Sequence, residues 1–128
     1  MTDPPAVFDA EAERAIWARN AEIPLMIALG TNRADFRWDH PDNRQLVLRH
    51  VTWCHDLAST GTLVGAGPLG WGDAAAKPAD ALLVLSARTA ADAAEVLAND
   101  PLVLAGVRGY AVSGWLLNQG LARGLPVR

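Results

Sequence analysis

Three observations predict an α+β domain of split βαβ, ferredoxin-like topology (βαββαβ), preceded by an extra N-terminal helix. Beyond that leading helix, the apolar segments run strand, helix, strand, strand, helix, strand. The strand-like segments are short apolar runs bounded by Gly, Pro and Asp, whereas the helix-like ones carry a 3.6-residue period. The strand segments are apolar on both faces, so cover is expected on both.

The elements follow in order. Asp3-Pro4-Pro5 punctuates the start, and Val7 to Glu22 has a helical composition. Glu11 and Glu13 stand early in it and Arg14 and Arg19 late, as the helix dipole prefers. Phe8, Ile16 and Trp17 give it only a thin apolar stripe, which marks residues 1–22 as an accessory helix. Ile23 to Leu29 reads as a buried strand closed by Gly30, with Pro24 tolerable only near its start. Thr31 to Asn43 is a polar loop; Pro41 then opens a helix that runs to Ser59 and stops at Gly61. Thr62 to Pro68 is the second strand, Leu69 to Asp80 the turn region of a hairpin, and Ala81 to Ala87 the third strand. Thr89 with Asp92 resembles an N-cap with an acidic third position, and that helix ends near Asn99, before Pro101. Tyr110 to Leu117 supplies the last strand, so the domain spans 23–117 and 118–128 is a tail.

Both faces of this sheet need partners. In the third strand Leu83 and Leu85 occupy one face, Leu82 and Val84 the other. Two helices cover one face, and an uncovered apolar face is a liability. A second copy of the chain is the simplest cover, making a homodimer; the N-terminal helix folded over the same face is the alternative.

Composition bounds the function. The 128 residues are 51% hydrophobic and 20% charged, with a formal net charge of −3, which fits one ordinary globular domain. Lys77 is the one lysine and no basic cluster occurs, so the footprint of a nucleic-acid binder is missing. No run approaches the roughly 18 apolar residues of a membrane span, and the acid-bearing N-terminus does not read as a signal peptide. A cytoplasmic location is the default expectation. Cys54 is the single cysteine, which excludes an internal disulfide and a multi-cysteine metal site.

One helix carries the candidate chemistry. At 100° per residue, Leu46, Val47, His50, Val51, Trp53, Cys54, Leu57 and Ala58 share an arc of about 160°. His50 sits near its middle, whereas His55 falls outside it on the solvated side. A buried imidazole must find hydrogen-bond partners, so His50 is either a satisfied core histidine or a general base tuned by an acidic neighbour. Cys54, one turn on, could pair with it, but a cysteine on an apolar helix face usually packs. The glycines from Gly65 to Gly72 follow a strand yet open no helix and precede no Lys-Ser/Thr, against a phosphate loop. His40 and Asp39 lack ligand spacing, so no metal is expected. Trp38, Trp71 and Trp115 are candidates to line a cavity or a dimer seam.

From His50 onward the sequence resembles the YciI-like (YCII-related) family. The residues that carry the resemblance are His50, the helix-ending Gly61, the Ala66-Gly67-Pro68 step, Thr89, and Asn99-Asp100-Pro101 followed by Ala105-Gly106-Val107. It covers roughly Ile23 to Leu117. The resemblance implies a ferredoxin-like fold paired into a dimeric α+β barrel, no cofactor, and a small-molecule pocket holding a His–Asp pair. Carried over, the pair is His50 and Asp100; Gly67, Pro68 and Leu69 are expected to border the pocket because their turn follows the second strand. Members often have an arginine three residues before the histidine; here Val47 stands there, with Arg44 and Arg49 nearby. The family includes a dehydrochlorinase of chlorinated aromatics, so the resemblance implies lyase-type proton chemistry with His50 as base and Asp100 as its orienter. From the residues alone, the reading that Asp100 is a helix-stop residue before Pro101 is the favoured one. A non-catalytic ligand-binding module and a cofactor-free oxygenase of the same fold are the alternatives.

Overall fold

The computed structural model describes residues 7–72 and 76–120. They fall into two compact units, 24–115 and, separately, 7–23 with 116–120. The opening Asp3-Pro4-Pro5, part of the hairpin turn and most of the expected tail lie outside the described residues.

In the smaller unit, α1 spans Ala10–Trp17, shorter than the stretch its composition predicts. Asp9 Oδ1 accepts the Ala12 amide at 2.8 Å and caps it. No residue of α1 is buried, so no packing extends the helix beyond its cap and favourable first-turn charges. Glu22 lies at φ 51°, in the left-handed region, one residue before β1 begins.

The larger unit carries β1 (Ile23–Asn32) from Pro24 on, a 3-10 turn (Pro41–Asn43), α2 (Arg44–Ser59), β2 (Leu63–Pro68), β3 (Ala81–Leu85), α3 (Ala90–Leu97), α4 (Pro101–Leu104) and β4 (Arg108–Leu117) as far as Trp115. The sheet order is β2-β3-β1-β4, with β1 and β2 each antiparallel to β3. This is the ferredoxin-like βαββαβ arrangement, with the last strand returned beside the first.

Local signals explain most boundaries. Thr89 Oγ1 accepts the Asp92 amide at 3.1 Å and caps α3. Gly61, at φ 80°, ends α2 in a conformation that disfavours any side chain. Two expectations need correction. Gly30 does not close β1, which continues to Asn32; its missing side chain is needed for space, as shown below. Pro101 does not simply stop a helix. Its lost amide and fixed φ suit a first helical turn, so it opens α4, with Asp100 as N-cap.

Register decides which residues meet the helices. Ala28 pairs with Leu83, Met26 with Leu85 and Leu63 with Leu85. With Ala81, Ala93 and Leu97 they build the core, against which Trp53, Cys54, Leu57, Tyr110 and Val112 pack. Strand alternation sends Ile27, Leu29, Leu82 and Val84 to the opposite face, where they are only half-buried. No described helix is long and apolar enough to cross a membrane.

Candidate active site

The site starts from an anomaly of α2. Its one fully buried residue is polar: His50, 6% exposed, while its apolar neighbours are half-buried or exposed. The imidazole therefore needs a partner, and α4 provides it. Asp100 is completely buried, and its Oδ1 lies 2.7 Å from His50 Nδ1. The same oxygen accepts the Leu102 amide at 2.9 Å, so capping α4 and holding the imidazole are one arrangement. Tyr110, on the helix-facing side of β4, donates its hydroxyl to Asp100 Oδ2 at 2.6 Å.

These contacts fix protonation. Burial pushes the Asp100 carboxyl upward, but the bonds from His50, Tyr110 and the Leu102 amide outweigh it and hold it below the usual range. An ionised carboxylate accepts only, so the His50 proton sits on Nδ1 and Nε2 is left to take or give another. Burial, and then the hydrogen bond to Asp100, raise the Tyr110 phenol well above its ordinary range; it stays a donor.

His50 lines a cavity of about 610 Å³. Gly67, Pro68 and Leu69 at the end of β2 line it as well, as do Val51, Cys54, Leu83, Phe36 and Trp38. Trp38 stands edge-to-face with His50, ring centres 5.8 Å apart. Trp71, by contrast, is 95% exposed, and Trp115 follows β4 alternation away from the helices. His55 is exposed, as its helical position predicts, yet it too lines the cavity. Cys54 Sγ lies 3.7 Å from His50 Nε2. Burial, with the Asp100 charge behind it, pushes its thiol up to about 11. A neutral thiol is a poor nucleophile and metal ligand, which weighs against a Cys–His nucleophilic pair.

The cavity's cations come from outside the helix. Arg44 and Arg49 are exposed and absent from its lining. Arg108, at the start of β4, is 7% exposed and lines it. Its Nε donates to Asn32 Oδ1 at 2.6 Å and its Nη1 to the Tyr110 hydroxyl at 3.3 Å. The guanidinium carbon also stands 5.9 Å from the Trp38 ring centre and 5.7 Å from that of Tyr110. Lys77 lines the cavity too, 3.1 Å from Asp80. The Asn32 amide, then Lys77, hold the Asp80 carboxyl below its ordinary value. Gly30 makes this side possible. A Cβ there would lie 2.8 Å from Tyr110 Cε1 and 3.0 Å from Arg108 Cδ.

Sequence reasoning missed Tyr110, Arg108, Asn32 and Asp80. For Tyr110 a signal existed: alternation in the last strand puts the single tyrosine on the face of Val112, and a buried phenol seeks a partner. Arg108 and Asn32 share the helix-facing alternation but lie beyond the strand ends that the sequence predicts, and Asp80 carries no periodic signature.

No protein-family model and no curated protein matches the chain. Among solved structures it is similar to 5-chloro-2-hydroxyhydroquinone dehydrochlorinase (TftG) from Burkholderia phenoliruptrix AC1100, in complex with 2,5-dihydroxybenzoquinone. The TM-score is 0.53 at 19% identity, over 71% of this chain and 92% of that one. At that identity the likeness is one of fold.

Proposed function

We propose that this chain is a YciI-like enzyme of the lyase type, in which His50 acts as general base and acid and Asp100 orients it. The observation that carries the reading is the buried 2.7 Å contact between His50 Nδ1 and Asp100 Oδ1, in a histidine that lines a cavity. The carboxylate selects the tautomer and stabilises the imidazolium, so Nε2 is the proton-transfer atom. The proposed substrate is a small hydroxylated ring bearing a leaving group. Its walls would be Trp38 and Phe36, with Gly67, Pro68 and Leu69 bordering it. In the keto tautomer of that ring, Nε2 takes a proton from the carbon beside the carbonyl, and the C–H pair becomes the new double bond to the adjacent carbon that bears the leaving group. A group such as chloride leaves with its own bonding pair. The imidazolium then returns its proton to water, and no oxidant or reductant is consumed.

The similarity to a dehydrochlorinase fold supports the choice of reaction. Polar groups such as Asn32 and Arg108 in the lining favour it over an apolar ligand-binding pocket. The test is chloride release from a panel of chlorinated hydroquinols. Wild-type protein releases chloride, and His50→Gln loses about 10²–10⁴-fold of the rate. Absence of release across the panel, or an unchanged rate in His50→Gln, overturns the reading.

The same proposal includes pairing into a homodimer through the sheet face of Ile27, Leu29, Leu82 and Val84, which are half-buried within one chain. Light scattering should return twice the chain mass, and Val84→Lys should return one; a monomeric wild type refutes it.

A further inference from the structure

We propose that Arg108 is the anion-binding residue of this cavity, and that its ligand enters as a planar ring bearing an ionised ring oxygen, a phenolate or enolate. A buried guanidinium without a counter-charge is costly, so buried charges in proteins are normally paired. Arg108 is 7% exposed, yet among the described residues it forms no ion pair. The nearby carboxylates are engaged elsewhere. Asp100 accepts from His50, Leu102 and Tyr110, and Asp80 accepts from the Asn32 amide and pairs with Lys77. Lys77 thus has its counterion, and among the described residues that line the cavity Arg108 is the arginine left without an ion pair.

The fold nevertheless holds Arg108 firmly. Asn32 Oδ1 and the Tyr110 hydroxyl occupy two of its five N–H donors. The Trp38 and Tyr110 rings flank the guanidinium carbon within 6 Å. Gly30 is held to a bare backbone where the Arg108 and Tyr110 side chains pass. A charged fork fixed by hydrogen bonds and rings, with donors to spare at a cavity wall, suits recognition of an oxyanion. A planar ring suits the aromatic part of the lining, Phe36 and Trp38. Through Tyr110 and Asp100, Arg108 joins a hydrogen-bonded chain that ends at His50. The proton acceptor and the anion holder therefore belong to one preorganised network.

The substrate class rests on the acid/base reading of the same cavity, but the test measures binding and needs no turnover. Calorimetric titration with 2,5-dihydroxybenzoquinone, ionised at neutral pH, is compared with its neutral dimethyl ether, 2,5-dimethoxy-1,4-benzoquinone. Wild-type protein prefers the anion. Arg108→Gln weakens anion binding at least about tenfold and leaves the ether unchanged, and Arg108→Lys falls between. Lys77→Gln, removing a cation that already has a partner, changes anion binding little. Loss of anion binding in Lys77→Gln but not Arg108→Gln overturns the assignment, as does failure of the wild type to bind the anion. If Arg108→Gln does not fold, the wild-type preference decides: an ether bound as tightly as the anion refutes the proposal. Anion binding without chloride release would overturn only the lyase reading. Chloride release with binding indifferent to Arg108 would overturn only this one.

Discussion

Replacing Asp100 by Asn isolates the charge at the centre of the site. Asn is nearly isosteric and is as good an N-cap as Asp, so α4 and the Leu102 amide bond should survive. What is lost is charge assistance. Hydrogen bonds to a charged group contribute about 1.5–3 kcal/mol, against about 0.5–1.5 for neutral pairs. His50 Nδ1 and the Tyr110 hydroxyl both face the carboxylate, at 2.7 and 2.6 Å. The Asn amide would also present donors to the Tyr110 hydroxyl. Two downgraded bonds predict a loss of about 2–3 kcal/mol at neutral pH. The opposing effect is desolvation: Asp100 is fully buried, and removing a buried charge can stabilise a protein. The net direction decides, because hydrogen bonding outweighs burial and lowers the carboxyl's pKa in the folded chain. A folded-state pKa below the unfolded one contributes stability above the unfolded value, about 3.9 for Asp, and loses it as pH falls through the folded value. Urea denaturation of wild type and Asp100→Asn at a series of pH values should show a full gap at pH 7. The gap should narrow as pH drops below about 4. An Asn variant as stable as wild type at pH 7, or a gap indifferent to acid, would refute the reasoning.

Three further outcomes follow from the same geometry. Tyr110→Phe removes a donor to Asp100 and an acceptor for Arg108, so chemical denaturation should report a loss of about 1–2 kcal/mol; an unchanged midpoint counts against the network. Gly30→Ala forces a Cβ into the Tyr110 ring edge and the Arg108 stem, and thermal melts should show an overpacking cost of about 1–3 kcal/mol; a neutral substitution would mean that this wall yields easily. With its thiol pushed up to about 11, Cys54 should be alkylated by iodoacetamide far more slowly at pH 8 than free cysteine, accelerating toward pH 11; rapid labelling at pH 8 would contradict the half-buried neutral thiol.

Local chemistry was legible wherever period or capping rules apply. The strand–helix order, the stop at Gly61 and the cap at Thr89 are all near-neighbour effects, and element order with short connections leaves a handful of topologies, the ferredoxin-like one among them. The helical arc also points His50 inward, because burial on a helix repeats with its turn. What a sequence cannot order is which residues, distant along the chain, meet at one point. Asp100 reads as the end of one helix, and only packing of α4 beside α2 brings it under His50, fifty residues away. Trp38 sits in a loop, where side-chain direction has no period. Arg108 and Asn32 are 76 residues apart and meet because β4 returns beside β1. Neighbour rules along the chain yield the four strands, the helices between them, their order and an inward-facing histidine, but not α4. The tertiary structure decided what that histidine bonds to and which cation faces the same cavity, because those depend on strand pairing and helix docking rather than on neighbours in the chain.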